Sequence, residues 1–194
     1  MLPEELLIEQ CRKGKQAAQE ELYDRFSAAM LGVCIRYCGN RTEAEDVMQE
    51  GFIKIFRNIY EFKARNEGSL ATWIKIIMVN TALNFLRDKK RFSFIEDIEN
   101  VPIYEQEKTD LFYEESEKCL PSRNELVEMV NELSEGYKLV FNLHVIEKYG
   151  HKEISKMLGI TEGTSKSQLS KARLVLQKKV KEWEKSKKKI LVAV

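Results

Sequence analysis

A short segment near the C-terminus carries the side chains best suited to binding chemistry in this sequence. Within residues 162–176, Leu169, Ala172 and Leu176 recur at helical spacing and predict one packed face. The remaining face is small, polar and basic, and we expect it to present Thr164, Ser165, Lys166, Ser167, Gln168, Lys171 and Arg173. A helix of this kind fits the major groove of B-DNA, where residues near its N-terminus reach base edges and Lys and Arg neutralise phosphates. The chemistry predicted for this segment is DNA recognition.

The residues immediately before this segment predict a helix-turn-helix. Ile154 and Leu158 face inward on a first helix over residues 151–158, Gly159 permits a turn with positive φ, and Ile160 fills the corner. Ten basic and three acidic residues between positions 162 and 189 give that region a net charge of +7. A solvated helical hairpin with one charged face would explain the same pattern, so this segment alone leaves both interpretations open.

Acidic and amide side chains cluster in the first two turns of a helix predicted over residues 42–60. Thr42 precedes Glu45 by three positions, which is the spacing of a capping box. The helical period continues through the apolar residues Met48, Phe52, Ile55 and Ile59. The cluster consists of Glu43, Glu45, Asp46, Gln49 and Glu50. Carboxylates at a helix N-terminus complement the helix dipole, and we prefer this capping role for Glu45.

A third group of candidate residues lies on a predicted loop, residues 61–69, and on the apolar helix that follows it, residues 70–90. Ile77, Asn80 and Asn84 stand three and four positions apart, hence on one helix face. An apolar helix gives little reason for exposed amides unless they contact a partner, and Asn can donate and accept toward a base edge. Nearby cations would follow phosphates, namely Lys63, Arg65, Arg87, Lys89, Lys90 and Arg91.

The same loop and helix start supply parts for a pocket that could accept a base flipped out of the DNA stack, which are Phe62, Asn66 and Trp73. Plain core packing is the preferred alternative for Trp73.

The periodicity of the whole chain predicts an all-α fold. Only 3 prolines and 9 glycines occur in 194 residues, and no strand alternation is present. Predicted helices cover residues 17–39, 42–60, 70–90, 123–133, 135–148, 151–158 and 162–184. We expect two small helical domains, residues 1–92 and 123–194, joined by a flexible acidic linker at residues 93–122, with the helix-turn-helix in the second domain.

The net charge of +1 conceals three regions of different character. Residues 1–92 carry 15 basic and 13 acidic residues, residues 93–122 carry 2 and 9, and residues 123–194 carry 15 and 9. The chain is therefore a mildly basic domain, an acidic connector and a basic domain. A solvated tether explains the connector's composition without any further role.

Several other functions are disfavoured. No uninterrupted apolar run approaches the roughly 18 residues needed to cross a bilayer, so we expect a cytoplasmic protein without a transmembrane segment. The four cysteines form no C-x-x-C pair and are interpreted as buried thiols. His144 and His151 lack an acidic ligand set and are interpreted as packing or surface residues. We therefore expect no metal, cofactor, catalytic residue or small-molecule substrate, and a metal-dependent nuclease is the least favoured alternative.

Three stretches together resemble the extracytoplasmic-function (ECF) sigma factors of bacterial RNA polymerase, in the sigma-70 family. They are LYDRFSAAMLGVCIRYCGNRTEAEDVMQEGFIKIF at residues 22–56, TWIKIIMVNTALNFLRDKKR at residues 72–91 and LSEGYKLVFNLHVIEKYGHKEISKMLGITEGTSKSQLSKAR at residues 133–173. Two separate motifs occur in the family's order and at its usual separation. This combination is far more specific than a helix-turn-helix alone.

The resemblance implies a factor without catalysis of its own that binds core RNA polymerase and directs promoter-specific initiation. Residues 1–92 would melt and read the minus-ten element, and residues 123–194 would read the minus-thirty-five element. Within the stretch DVMQE, Asp46, Gln49 and Glu50 are the candidates that dock on the clamp coiled coil of the polymerase large subunit. The family's linker is thought to thread through the polymerase's nucleic-acid channels. An anti-sigma factor is a further expected partner.

The sequence departs from the family at a few positions. Many relatives have a β-branched apolar residue at the position of Ser165 and Ala at that of Ser155, so the second domain is expected to pack more loosely. Asp88 interrupts a basic run, and the tail from Lys185 is expected to be a frayed helix end. The main alternative function is a stand-alone helix-turn-helix transcriptional regulator that binds operators as a dimer, which would leave Asp46, Asn80 and Asn84 unexplained.

Overall fold

The computed structural model describes residues 2–63, 69–89 and 120–192, and all regular structure in these ranges is helical, as predicted. The chain divides into two compact units, one within Met1–Phe92 and the other within Ser93–Val194. Most of the predicted linker, residues 93–119, lies outside the described residues. The first unit contains α1 (Glu4–Arg12), α2 (Gln16–Cys38), α3 (Arg41–Asn58) and α4 (Ser69–Asp88). The second contains α5 (Arg123–Asn131), α6 (Glu135–Phe141), a π-helix (Asn142–Ile146), α7 (His151–Leu158) and α8 (Glu162–Val192).

In the first unit, α2, α3 and α4 pack against one another. The apolar row predicted on α2 is largely buried, with Leu22, Met30, Val33 and Tyr37 in the core and Phe26 half-buried. The helix ends at Gly39, whose φ of 79° is in the left-handed region that glycine adopts without strain. The predicted helix over residues 17–39 is thereby confirmed.

The predicted capping pair of α3 is wrong. Asn40, not Thr42, is the N-cap, and its side chain accepts a hydrogen bond from the backbone N–H of Glu43 at 2.9 Å. Asn40 has an extended backbone (φ −136°, ψ 158°), which lets its side-chain oxygen reach over the first turn. Glu45 instead forms an ion pair with Arg41 at 2.7 Å. The helix thus begins at Arg41, one residue before the predicted start.

Helix α4 crosses the core of the first unit. Leu70, Ile74, Met78 and Leu86 lie on its buried side, together with Ala82 and the hydroxyl-bearing Thr81. Its β-branched residues therefore belong to a buried helix, as predicted, and not to a strand. Among the described helices, α4 alone is long and apolar enough to meet a membrane-span criterion of length and composition. Its packing inside a helical unit supplies a different reason for that apolar composition.

Helix α1 was not predicted. Its apolar residues Leu7, Ile8 and Cys11 are buried, and it packs on α2. The backbone N–H of Leu2 also donates to Glu21 at 2.6 Å, which ties the start of the chain to α2.

In the second unit, α7 and α8 form the predicted helix-turn-helix. Gly159 adopts a φ of 68°, and Ile154, Leu158, Leu169 and Ala172 are buried. The helix predicted over residues 135–148 is instead α6 followed by the π-helix, and it stops before Lys148, which has a φ of 65°. The predicted helix-turn-helix is confirmed, while the helical segment that precedes it is shorter than predicted.

Helix α8 continues to Val192, eight residues beyond its predicted end at residue 184. Trp183 anchors this extension on α5, because its indole N–H donates to Glu125 at 2.8 Å. Lys187 approaches the same carboxylate at 3.5 Å, and Lys179 pairs with Glu132. The hydrogen bond from Trp183, with further bonds from Ser122, lowers the pKa of Glu125 to about 2.

Candidate DNA and protein interfaces

The first turn of α8 presents a polar and basic face. The hydroxyl of Thr161 accepts a hydrogen bond from the backbone N–H of Thr164 at 3.0 Å and so caps the helix. Of the predicted residues, Lys166, Ser167 and Arg173 are exposed, and Thr164, Gln168 and Lys171 are half-buried. The amide of Gln168 packs against Gly136 of α6, where an added Cβ would lie 2.5 Å from its Oε1 atom. Only part of the Gln168 side chain therefore faces outward.

The predicted outward position of Ser165 is wrong. Ser165 is 0% exposed, and its hydroxyl lies 2.9 Å from the Nδ1 atom of His151 on α7. The reason is periodicity, since Ser165 precedes Leu169 by four positions and shares its packed face. This buried hydroxyl joins the two helices of the helix-turn-helix, so it positions α8 and does not offer a surface for DNA.

Two histidines, His144 and His151, lie beside α8 in the second unit. The rings of His144 and His151 stack with centroids 4.5 Å apart, and Nδ1 of His144 lies 2.9 Å from the carbonyl oxygen of Tyr149. Burial lowers the pKa of His151, and His144, Lys166 and Arg173 act in the same direction. Burial thus favours the neutral form of His151, whose Nδ1 atom lies within hydrogen-bond distance of Ser165 on α8.

Asp46, Gln49 and Glu50 are all exposed on one face of α3, as their spacing predicts. Glu50 pairs with Lys54 at 2.6 Å, whereas Asp46 and Gln49 make no side-chain hydrogen bond or ion pair to another described residue. Beside this face runs a groove of about 290 Å³, which is lined by Tyr23, Ser27, Ala28 and Leu31 of α2 and by Arg41, Glu45, Met48 and Gln49 of α3. An exposed acidic and amide face beside a groove suits contact with a basic protein surface.

Helix α4 carries a second polar face, opposite its buried side. Asn80, Asn84 and Arg87 are exposed, and Trp73 and Ile77 on the same face are half-buried. The guanidinium of Arg87 donates to the side-chain oxygen of Asn84 at 3.0 Å. The structure thus brings five of the predicted residues onto one continuous stripe.

The start of the predicted loop and the start of α4 border a cavity of about 650 Å³. Its lining consists of Glu61, Phe62, Lys63, Ser69, Thr72, Trp73 and Ile76. The rings of Phe62 and Trp73 pack with centroids 5.2 Å apart, and Phe62 is 4% exposed. Trp73 therefore both packs against the core and borders an open space of a size suited to a planar ring. The predicted residues Arg65, Asn66, Lys90 and Arg91 lie outside the described residues.

Lys89 occupies a different environment from the one predicted. Its ammonium pairs with Glu43 of α3 at 2.6 Å and lies 4.5 Å from the centre of the Phe85 ring. This charge already has an intramolecular partner, whereas Lys63 is exposed at the cavity edge.

Sequence reasoning missed Arg12, and it gave His144 and His151 a packing or surface role without predicting their stack or the contact with Ser165. Arg12 on α1 donates to the backbone carbonyls of Ile59 and Phe62 at the end of α3. No local pattern in the sequence connects position 12 with position 62. The burial of Ser165 beside His151, by contrast, follows from the helical spacing of Leu169.

The residues that the structure describes are organised as in a sigma factor. They form two compact helical units, with polar faces on α3 and α4 in the first and a helix-turn-helix in the second. The sequence model of Sigma-70 region 2 matches residues 22–92, and that of Sigma-70, region 4 matches residues 123–176. The chain belongs to the sigma-70 family. Sigma factors are not known as an enzyme family.

Similar proteins indicate which group of sigma factors the chain belongs to. The ECF RNA polymerase sigma factor SigW of Bacillus subtilis is 29% identical over 180 residues, which cover 90% of this chain and 95% of that protein. The ECF RNA polymerase sigma-E factor of Haemophilus influenzae is 29% identical over 185 residues, with 92% and 96% covered. The solved structure of CnrH in complex with the cytosolic domain of CnrY superposes with a TM-score of 0.48 at 18% identity, over 91% of this chain and 96% of that one. The protein is an RNA polymerase sigma factor of the ECF group.

Proposed function

We propose that α3 docks this sigma factor on core RNA polymerase, that α4 and the adjoining cavity capture the minus-ten element, and that the first turns of α8 read the minus-thirty-five element. The observation that carries the proposal is the polar stripe of α4. Asn80 and Asn84 are exposed on a largely apolar core helix, on the same face as Trp73, which borders the cavity. Amides exposed at that place have no packing role and are suited to base edges.

In the minus-ten site, one base leaves the stack and enters the cavity beside Phe62 and Trp73. Unstacking costs a few kcal/mol, and a pocket with an aromatic wall offsets this cost. Ile77 lies between Trp73 and the two asparagines on the stripe, where an apolar contact with a base is available. Lys63 and Arg87 are placed to follow phosphates, while Lys89 holds α4 to α3 through Glu43. Arg65, Asn66 and Lys90 keep their proposed roles in this strand contact from sequence reasoning alone.

In the minus-thirty-five site, Thr164, Lys166, Ser167 and Gln168 lie on the first turns of α8, and Lys171 and Arg173 follow on the next turns. Their backbone N–H groups and cations compensate phosphates, and their side chains reach base edges. We remove Ser165 from this set, because its burial makes it a support for α8.

The minus-thirty-five site is tested by removing one charge at a time. We expect Lys166→Ala or Arg173→Ala to weaken binding to a minus-thirty-five duplex and to lower the salt slope by about one for each phosphate that the variant no longer neutralises. Lys181→Ala is the matched control, since it removes the same charge from the same helix about 22 Å further along. Unchanged affinity and salt slope in both variants would show that the reading surface lies elsewhere.

The polymerase contact is tested with Asp46→Ala. Asp46 is exposed and makes no polar contact within the described residues, so its removal should weaken binding to core polymerase and leave the thermal stability of the free chain unchanged. Glu5→Ala, which removes an exposed acid from α1, is the control. Core binding by Asp46→Ala that matched the wild type in a pull-down would contradict the docking assignment.

The function as a whole is tested by in vitro transcription with core polymerase and a genomic promoter library. Transcripts that depend on this protein would establish its role and define its promoter sequence. Protection of a two-fold symmetric operator without polymerase would favour a stand-alone regulator instead. We also propose a cytoplasmic location and, from the resemblance to ECF sigma factors, control by an anti-sigma factor.

A further inference from the structure

We propose that Arg12 on α1 is a positioning residue for capture of the flipped minus-ten base. This inference rests on the proposed function of the cavity beside Phe62 and Trp73. Helix α1 ends at Arg12, ten residues before the start of the Sigma-70 region 2 match at residue 22. Helix α1, which precedes the matched region, thereby takes part in promoter melting.

Arg12 bridges two backbone carbonyls at the point where α3 ends. Its Nε atom donates to the carbonyl oxygen of Ile59 at 3.2 Å, and its Nη2 atom donates to the carbonyl oxygen of Phe62. Ile59 is the C-cap of α3, where carbonyl groups lack helical partners and carry partial negative charge. A guanidinium presents several N–H donors in a fixed plane and stays charged, so it can hold two such acceptors together.

The two bonds from Arg12 fix the turn that carries the cavity wall. Within this turn the backbone N–H of Glu61 donates to Asn58 at 2.9 Å, and that of Phe62 donates to Ile59 at 3.3 Å. Phe62 then packs its ring on Trp73, and Lys63 follows at the cavity edge. Arg12 therefore holds the backbone of the residue whose ring forms half of the aromatic pair that we propose receives the base.

Helix α1 is itself held in place, so it can act as a fixed support. Leu7, Ile8 and Cys11 are buried in the first unit. At the other end of the helix, the guanidinium of Arg25 donates to the carbonyl of Leu2 at 2.7 Å. Arg12 therefore extends from a helix whose position is set by packing on α2.

Placement of the wall matters because base capture depends on preorganised geometry. A displacement of about 1 Å at a binding site can reduce function by as much as 100-fold. Without Arg12, the carbonyl of Phe62 would be free to turn toward water and that of Ile59 would keep only the 3.3 Å bond from the N–H of Phe62, so the Phe62 ring would lose part of its support. We expect binding of the captured base to weaken about ten-fold, which is the effect of roughly one good charged hydrogen bond.

The experiment uses the full chain bound to core polymerase. The probe is a fluorescent single-stranded DNA that carries the non-template minus-ten sequence of a promoter identified by the transcription assay. A second set of probes replaces each base in turn by an abasic site. The variants are Arg12→Ala and Arg12→Lys. The matched control is Lys13→Ala, which removes a neighbouring charge whose ion-pair partner is the exposed Glu9 on the same helix.

With wild type and Lys13→Ala we expect one abasic position to weaken binding sharply. With Arg12→Ala we expect about ten-fold weaker binding of the intact strand and little further weakening at that position. Arg12→Lys keeps the charge but not the planar set of N–H donors, so its affinity should lie between those of the wild type and Arg12→Ala. A general decrease in folded protein would lower binding of intact and abasic strands by the same factor, so the ratio of the two affinities separates positioning from simple stability.

An unchanged ratio in both Arg12 variants would overturn the inference, even if absolute affinity fell. A wild-type complex with no abasic-sensitive position would instead overturn base capture in this cavity, and the positioning role with it. The two failures are distinguishable because only the second is seen with wild-type protein.

Discussion

The crossing of α3 and α4 is close enough that one methyl group should disturb it. Gly51 lies in the middle of α3, and a Cβ added there would stand 2.3 Å from the sulfur and 2.9 Å from the terminal carbon of Met78 on α4. Met78 is 0% exposed, so its side chain can move only by displacing other core groups. Gly32, in the interior of α2, has no atom within 4 Å of an added Cβ. The two glycines therefore form a matched pair of helix-interior sites.

The magnitude follows from two opposing effects. Overpacking a core costs about 1–3 kcal/mol. Replacing Gly by Ala in a helix interior contributes about 1 kcal/mol of stability. Gly32→Ala should thus raise the free energy of unfolding by about 1 kcal/mol, and Gly51→Ala should leave it unchanged or lower it by up to about 2 kcal/mol. Because helix propensity is common to both, the difference between the variants isolates the contact with Met78, at about 1–3 kcal/mol.

The assay is urea unfolding of the full chain, followed by the fluorescence of Trp73. The chain has two tryptophans, so a Trp183→Phe background makes Trp73 the only reporter and restricts the signal to the first unit. A difference of about 1 kcal/mol corresponds to a shift of about 0.3–1 M in the urea midpoint, since the m-value of a small domain is about 1–3 kcal/mol/M. If Gly51→Ala were stabilised as much as Gly32→Ala, the crossing of α3 and α4 would be looser than described. It could then not hold the exposed faces of α3 and α4 in a fixed relative position.

Three further predictions concern titration and thiol chemistry. Burial lowers the pKa of His151 below 6.5, and His144, Lys166 and Arg173 act in the same direction while Glu162 opposes them. Because the unfolded chain then binds the proton more readily, the stability of the second unit should fall as pH drops below 6.5. His151→Gln should flatten this pH dependence in urea unfolding followed by Trp183 fluorescence. If the variant kept the same slope of stability against pH, His151 would not be its source. The lowered pKa of Glu125, about 2, adds stability above 4.5 that disappears as pH falls toward 2. Glu125→Gln, but not Glu128→Gln, should remove this acid dependence in circular-dichroism melts. Burial raises the pKa of Cys34 to about 12, and Cys11 and Cys38 are also buried, so more than one of the four thiols reacting with DTNB before unfolding would refute their burial.

The elements that could be predicted are those whose signals are local. The apolar row of α2 and the end of that helix at Gly39 could be predicted from residues close together in the sequence. The same holds for Ile154, Leu158 and Gly159 of the helix-turn-helix. Asp46, Asn80 and Asn84 were placed correctly on exposed faces because helical spacing alone decides such placement. The start of α3 was missed by one residue, since Asn40 and Thr42 both have side chains that can cap a helix.

The features that could not be predicted depend on contacts far apart in the chain. Helix α1 is nine residues long and rich in charge, so its burial on α2 leaves little periodic signal. The pairing of Lys89 with Glu43 and the anchoring of α8 by Trp183 on Glu125 each join residues more than 40 positions apart. Ser165 is different, because its spacing from Leu169 did indicate burial. Its hydroxyl and its place in a polar run favoured the surface, and helical geometry proved the stronger guide.

The contacts between α3 and α4 connect the two proposed functions of the first unit. Glu50, on the proposed polymerase face, pairs with Lys54, and Lys54 reaches the hydroxyl of the buried Thr81 on α4 at 3.4 Å. At the other end of the same crossing, Lys89 joins the end of α4 to Glu43 in the first turn of α3. Gly51 and Met78 bring the helices into close contact beside the first of these links. A polymerase docked on α3 would therefore hold Asn80 and Asn84 of α4 at a fixed angle to the DNA, because the crossing leaves α4 little freedom to rotate independently.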